Sequence, residues 1–385
     1  MISKPIYLDY NSTTPCDPRV VEAMLPYFSG EFGNPASRDH LYGWNAKDAV
    51  DEAREQVAAL VGAHSEEIIF TSGATEAINM ALKGLAVAAP IGKNHIITCH
   101  TEHNAVLDTC AYLEKKGLAV SYLGVDSEGN ISLEELEGLI RPETLCISLM
   151  WANNETGVIH PIEKIGHLAQ KHHVAFFCDA TQAVGKIPVN VQEAGITLMA
   201  FSAHKMYGPK GIGALYLNKK SHFSKISPLL NGGSHEHGLR SGTLNVPGIV
   251  GFGQAARLCA QEMTMEHINL GNWRNKLEKS LMAAIPEAKK NGSQNRLPHV
   301  SNISFPQINA ENLLLSLSQH LALSRGSACT SNVQRPSHVL KAMGLGDAEA
   351  FGSIRISLGR FTKEVEIELV IEKLTAGILS FSPTH

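Results

Sequence analysis

From about residue 50 the chain alternates short, wholly apolar runs with longer stretches whose small and apolar residues recur at helical spacing. The runs at 68–71, 95–99, 118–123, 144–150, 174–178, 197–201 and 213–217 read as strands. The stretches at 46–60, 74–88, 104–115 and 162–171 read as helices, and Ser132 with Glu135 three positions on makes a capping box for another helix reaching residue 140. Strands without polar alternation are buried on both faces, so the pattern predicts a largely parallel sheet covered by crossover helices. The expected first domain is doubly wound α/β.

Beyond Val246 the texture changes. A helical stretch over 248–285, with an interruption expected near 269–272, leads to a polar run at 289–296 expected to lack regular structure. A strand at 300–305, a helix at 310–319, a helix at 336–343, a strand at 353–357 and a helix at 363–379 then make a smaller α+β unit. The strand-like run 5–10 is expected to join this second unit. The division predicted is residues 14–257 for the large domain, with 1–13 and 258–385 forming the small one. A Gly/Ser/Thr-rich loop at about 324–335, expected to be mobile, belongs to the latter.

Composition narrows the function classes. Apolar residues make up 44% and charged residues 18%, which excludes a disordered or fibrous chain. Lys and Arg number 33 against 37 Asp and Glu, a net charge of −4, so no electrostatic footprint for an extended nucleic-acid surface or an anionic membrane exists, and direct nucleic-acid binding is not expected. The first residues do not read as a signal or transit peptide, and no apolar run reaches the roughly 18 residues of a spanning helix, so a cytoplasmic protein is expected. Seven cysteines, at 16, 99, 110, 146, 178, 259 and 329, include no pair at metal-knuckle spacing. No metal site is expected.

Candidate chemistry gathers where strands end. Lys205, in Ser202-Ala203-His204-Lys205, follows a strand at the edge where doubly wound folds bind ligands; it reads as a Schiff-base amine for a carbonyl cofactor or as a surface lysine beside a turn. Asp179 ends another strand with Gln182 three residues on, and is a partner for a pyridinium nitrogen or a helix cap. Ser72-Gly73-Ala74-Thr75-Glu76 opens a small-residue helix whose free amides suit a phosphate, although a plain N-cap explains it equally. His103 stacks on a ring and moves protons, or caps its helix; Glu102 beside it reads as structural. Lysine, aspartate and phosphate cradle together match the needs of one cofactor, pyridoxal 5′-phosphate. Cys329, among the small residues Ser324 to Asn332, is a reactive thiol or an incidental one. Arg355, inside an apolar strand, wants an anion, either a substrate carboxylate or a structural ion pair.

These motifs, with Tyr7-Leu8-Asp9-Tyr10-Asn11-Ser12-Thr13-Thr14, Gly33-Asn34-Pro35-Ala36-Ser37, Thr101-Glu102-His103, Asn153-Asn154-Glu155-Thr156-Gly157 and Arg240-Ser241-Gly242-Thr243, occur in an order that resembles the pyridoxal-phosphate cysteine desulfurases of the NifS and IscS type, in class V of the fold-type I aminotransferase superfamily. The resemblance runs to about Phe381. It implies a homodimer that converts L-cysteine to L-alanine and holds the sulfur as a persulfide on Cys329 for an acceptor protein. It also implies that Lys205 is the Schiff-base lysine, Asp179 the pyridinium partner and Gln182 a partner of the phenolic oxygen. His103 stacks on the ring, while Gly73, Ala74, Thr75, Ser202 and His204 hold the phosphate, with Thr243 reaching the phosphate of the neighbouring subunit. Asn154 and Arg355 receive the substrate carboxylate.

Two departures bear on the acceptor. Residues 232–240 are less basic than in the housekeeping enzymes, and the chain ends at His385 without a further docking tail. The acceptor is therefore expected to be an iron–sulfur scaffold or a dedicated thiolation enzyme. A selenocysteine lyase or simple cysteine β-lyase on the same fold would not need Cys329, and a non-catalytic homologue would have no use for Lys205, Asp179, His103 and Cys329 together.

Overall fold

A computed structural model of the chain describes residues 4–305, 307–325 and 335–381. Seven strands form one sheet, in the order Ile68–Thr71, Gly213–Leu217, Leu198–Ser202, Ala175–Asp179, Thr144–Ser148, His95–Cys99 and Ala119–Leu123. Gly213–Leu217 is antiparallel to both its neighbours, and every other pair is parallel. All the strands except the edge strand Ala119–Leu123 are buried along their whole length. Successive side chains go to opposite faces and both faces are covered, which is why the sequence shows continuous apolar runs there. Ile69, Ile96, Leu145, Phe177 and Leu215 pack with the helices Ala74–Ala88 and Asn104–Glu114. Their alternates Phe70, Ile97, Ile147, Phe176 and Tyr216 pack with Leu41–Val61, Ile162–Lys171 and the start of Val246–Ala284.

A second core lies under a three-stranded antiparallel sheet in the order Ser353–Ser357, Val300–Ser304, Lys289–Lys290. The helices Ala310–Leu317 and Glu364–Phe381 contribute Leu313, Val370 and Leu374 to it. The N-terminal strand Ile6–Tyr7 pairs in parallel with Leu321–Ala322, and Leu8 enters this core.

Two expectations are corrected. The helix Val246–Ala284 runs through 269–272 without a break, because Leu270 is anchored in the second core beside Leu277 and Leu281. That burial outweighs the cost of about 1 kcal/mol for Gly271 within a helix. The run 289–296 is not structureless: Lys289–Lys290 forms a strand, and the buried Asn291 donates to Asn302 Oδ1 at 2.8 Å and Ser304 Oγ at 2.7 Å. A polar sequence there serves a buried polar network. The short helices Pro18–Met24 and Asp347–Phe351 have no counterpart in the sequence reading.

Candidate active site

The strands Ile68–Thr71, His95–Cys99, Thr144–Ser148, Ala175–Asp179 and Leu198–Ser202 have residues at or just beyond their C-terminal ends in the lining of one cavity of about 800 Å³. Asp179 is the last residue of its strand and is buried, and its Oδ1 accepts from Thr181 N at 3.0 Å. Lys205 closes the single 3₁₀ turn Ala203–Lys205 that follows Leu198–Ser202, and its Nζ donates to the carbonyls of Asn11 at 2.6 Å and Ser12 at 2.7 Å. Gln182, in the turn after Asp179, donates from Nε2 to the same Asn11 carbonyl at 3.0 Å. The N-terminal segment thus crosses the sheet edge and ties the lysine and the amide to one backbone oxygen.

Gly73 precedes the helix Ala74–Ala88, and no side chain caps that helix. Ser72 N instead donates to Glu76 Oε2 at 2.7 Å, and Arg240 Nε holds the other carboxylate oxygen at 2.9 Å. The amides of the first turn therefore face the cavity lined by Gly73, Ala74, Thr75 and Ser202. Gly213 lets the antiparallel strand approach this turn: a Cβ there would lie 2.7 Å from Gly73 Cα. His204 lines the cavity with Nδ1 3.1 Å from Thr13 Oγ1, and burial, with Lys205 next, lowers its pKa to about 4.

His103 caps its helix and also lines the cavity. Its Nδ1 accepts from Ala105 N at 3.1 Å, capping Asn104–Glu114, while the residue lines the cavity. Burial holds its pKa below the ordinary histidine value, with Asp179 opposing and Lys205 reinforcing. With Nδ1 accepting, the neutral imidazole carries its proton on Nε2, and the lowered pKa favours that neutral form. Glu102 is structural in its contacts: fully buried, it accepts from Met150 N at 2.6 Å, and desolvation raises its pKa well above the carboxylate norm.

Arg355 makes an ion pair and also lines the cavity. Its Nη2 bonds Asp9 Oδ1 at 2.6 Å and Ser12 Oγ at 2.8 Å, and its Nη1 bonds the Asn154 carbonyl at 3.0 Å, with Ser12 and Asn154 in the cavity wall beside it. Thr243 is exposed and does not line this cavity. Cys329 lies outside the described residues. On either side of that segment, Ser324 bridges Arg355, and Ser337 Oγ donates to the buried Glu155 at 2.5 Å next to His338, which lines the cavity. Asn11, Ser12, Thr13, Lys210 and His338 are cavity residues that the sequence reading gave no role. The Tyr7 to Thr14 motif, opposite no local partner, was the one signal for the first three.

Burial, then the charge of Arg355, lowers the Lys205 pKa to about 8. Free amine is the nucleophilic form and is favoured above that pH. Capture of pyridoxal 5′-phosphate by cofactor-free protein is expected to quicken about tenfold per pH unit below 8 and to level off above it. Stopped-flow absorbance reads this directly. A rate still climbing at pH 10 would mean an ordinary, solvated lysine.

Among the described residues no cluster of His, Cys, Asp or Glu can hold a metal ion, and no helix is long and apolar enough to cross a membrane. The model of the aminotransferase class-V family matches residues 6–370. The cysteine desulfurase IscS of Anaeromyxobacter sp. (strain Fw109-5) is 49% identical over 375 residues, covering 96% of this chain and 92% of that protein. Among solved structures, a NifS-like protein superposes with a TM-score of 0.91 at 39% identity, covering 98% of this chain and 100% of the other. SspA in complex with cysteine gives 0.81 at 37% identity, covering 93% and 100%.

Proposed function

The chain belongs to the class-V aminotransferases and, within that fold-type I family, to the cysteine desulfurases of the NifS/IscS type, and from this premise we propose how its own residues divide the work. The enzyme takes sulfur from L-cysteine, leaving L-alanine and a persulfide for transfer. The observation that carries the residue assignment is the meeting, in one cavity, of a half-buried amine, a buried carboxylate and an uncapped helix N-terminus. These are the groups that the aldehyde, ring nitrogen and phosphate of pyridoxal 5′-phosphate require, so the site fits that cofactor.

Lys205 engages the aldehyde, Asp179 keeps a proton on the ring nitrogen, and His103 covers the ring. Gln182 meets the phenolic oxygen, and the amides of Gly73, Ala74 and Thr75 with Ser202 and His204 hold the phosphate. When bound, the cofactor supplies an electron-accepting system conjugated to the substrate Cα. Arg355 and Asn154 bind the carboxylate of L-cysteine, which must share or replace Asp9 on the guanidinium. Lys205 would also serve as the base for the Cα proton, and burial, which lowers its pKa to about 8, favours the free amine that this role needs. His103 is placed to pass a proton from Nε2.

Cys329 is the sulfur acceptor in this reading. Its thiolate attacks the substrate sulfur, an S–S bond forms as the C–S bond breaks, and the bonding pair remains on the carbon that becomes the methyl of alanine. Of the seven cysteines, the six that are described support this by their unsuitability. Burial raises every one of their thiol pKa values, that of Cys99 to about 11 and those of Cys110 and Cys259 to about 12.

We assign a homodimer. Leu25, Phe28, Phe32, Leu41, Tyr42 and Trp44 leave large apolar surface exposed around the first helices, and a second copy of the chain would cover it. Thr243, exposed and outside its own cavity, then reaches the phosphate of the partner's site. Thr243→Val is expected to weaken cofactor binding about fivefold, the loss of one hydrogen bond to a charged group, while sedimentation still gives a dimer. An unchanged affinity would remove Thr243 from the site.

The sulfur recipient is a protein, either an iron–sulfur scaffold or a nucleic-acid thiolation enzyme. Loading the enzyme with radiolabelled sulfur from L-cysteine and adding lysate of its own cell is expected to label one such protein. Label appearing only as free sulfide would overturn the protein-acceptor reading.

A further inference from the structure

One buried amine beside the site has no task in the scheme above. Lys186 Nζ lies 2.9 Å from Gln182 Oε1, with both residues buried. We infer that Lys186 is a positioning residue for the phenolic oxygen of the cofactor, acting through the amide of Gln182. The inference rests on the assignment of Gln182 to that oxygen.

The contacts fix which way the amide faces. The Asn11 carbonyl only accepts, so Nε2 must point at it, and Oε1 must then point at the amine of Lys186. Nε2 has a second hydrogen, and Gln182 lines the cavity. The same Asn11 carbonyl accepts from Lys205 Nζ, so the amide nitrogen and the aldehyde-binding amine are neighbours. On the cofactor ring the phenolic oxygen is adjacent to the aldehyde carbon. A donor held beside Lys205 therefore stands where that oxygen falls.

Lys186 makes this orientation the stable one. On its far side lies a cavity of only about 10 Å³, shared with Glu266, His267 and His299, with room for one water at most. Without the amine, Oε1 is a buried oxygen lacking its donor, and the amide regains one only by rotating, which carries Nε2 away from the phenolic oxygen. Donation into Oε1 also polarises the amide and strengthens the N–H at its other end.

A double-mutant cycle on cofactor affinity tests this, read by titrating cofactor-free protein with pyridoxal 5′-phosphate, with thermal unfolding of each cofactor-free variant as the folding control. Lys186→Met and Gln182→Leu are each expected to weaken affinity about tenfold and to lose part of the visible band at fixed pH, the scale of one buried hydrogen bond. The double variant is expected to bind no more weakly than Gln182→Leu alone, because Lys186 acts through that amide. Additive losses would overturn the inference, since Lys186 would then act independently. A loss in Gln182→Leu with none in Lys186→Met would overturn it while leaving the role of Gln182 intact, whereas no loss in Gln182→Leu would remove that role itself. Should Lys186→Met not fold, Lys186→Gln, whose donor is one bond shorter, is expected to lose about threefold, again only when Gln182 is present.

Discussion

Lys205→Ala is expected to abolish desulfuration, lowering turnover by roughly 10⁴-fold or more, because it removes both the aldehyde-binding amine and the Cα base. The native side chain is held by the Asn11 and Ser12 carbonyls at 2.6 and 2.7 Å. Alanine leaves the Ser12 carbonyl without this donor while the Asn11 carbonyl keeps Gln182, a stability cost of about 1–3 kcal/mol that a folded domain of this size tolerates. The variant is therefore expected to fold and to bind cofactor reversibly through Asp179 and the open helix N-terminus. It should be colourless after dialysis, while the parent keeps its visible band. A band surviving dialysis in the variant would place the covalent link elsewhere.

Cys329→Ser divides the reaction at a different point. The serine hydroxyl is not ionised at neutral pH and is a poor nucleophile toward sulfur, so alanine formation is expected to fall roughly 10³-fold. The cofactor band and its response to L-cysteine should remain, since Lys205, Asp179 and Arg355 are untouched. The raised thiol pKa values of the buried cysteines, and of the half-buried Cys16, give no substitute thiolate. Loss of the band together with activity would mean that the residue supports the fold rather than the chemistry. Sulfur release at the parental rate would fit the β-lyase alternative.

The parts of the molecule legible in its sequence share a physical origin. Strands such as Ile68–Thr71 and Gly213–Leu217 are buried on both faces, so their apolar runs have sharp ends. Lys205, Asp179 and His103 stand at strand ends or within a few residues of them on the C-terminal side of the sheet, where topology concentrates ligand contacts, and all three line the cavity. What stayed hidden depends on contacts between distant residues. Arg355 meets Asp9 across 346 positions, and Lys205 meets the Asn11 carbonyl across 194. A backbone oxygen carries no residue-type signal, and Tyr7 to Thr14 reads locally as a strand end and turn. The unbroken helix at 269–272 is a case of the same kind, decided by where Leu270 packs rather than by its weak helix-forming neighbours. Lys186 is silent in the sequence because its role depends on how the Gln182 amide is turned, which the distant Asn11 carbonyl sets.

The most direct test of the account is a single turnover of the cofactor-loaded enzyme with L-cysteine, read by intact-protein and peptide mass spectrometry alongside quantitation of alanine. The account predicts one added sulfur atom per chain, on the peptide containing Cys329, with one alanine released for each. Alanine formed with the sulfur found only as free sulfide, or carried on Cys16, would contradict it.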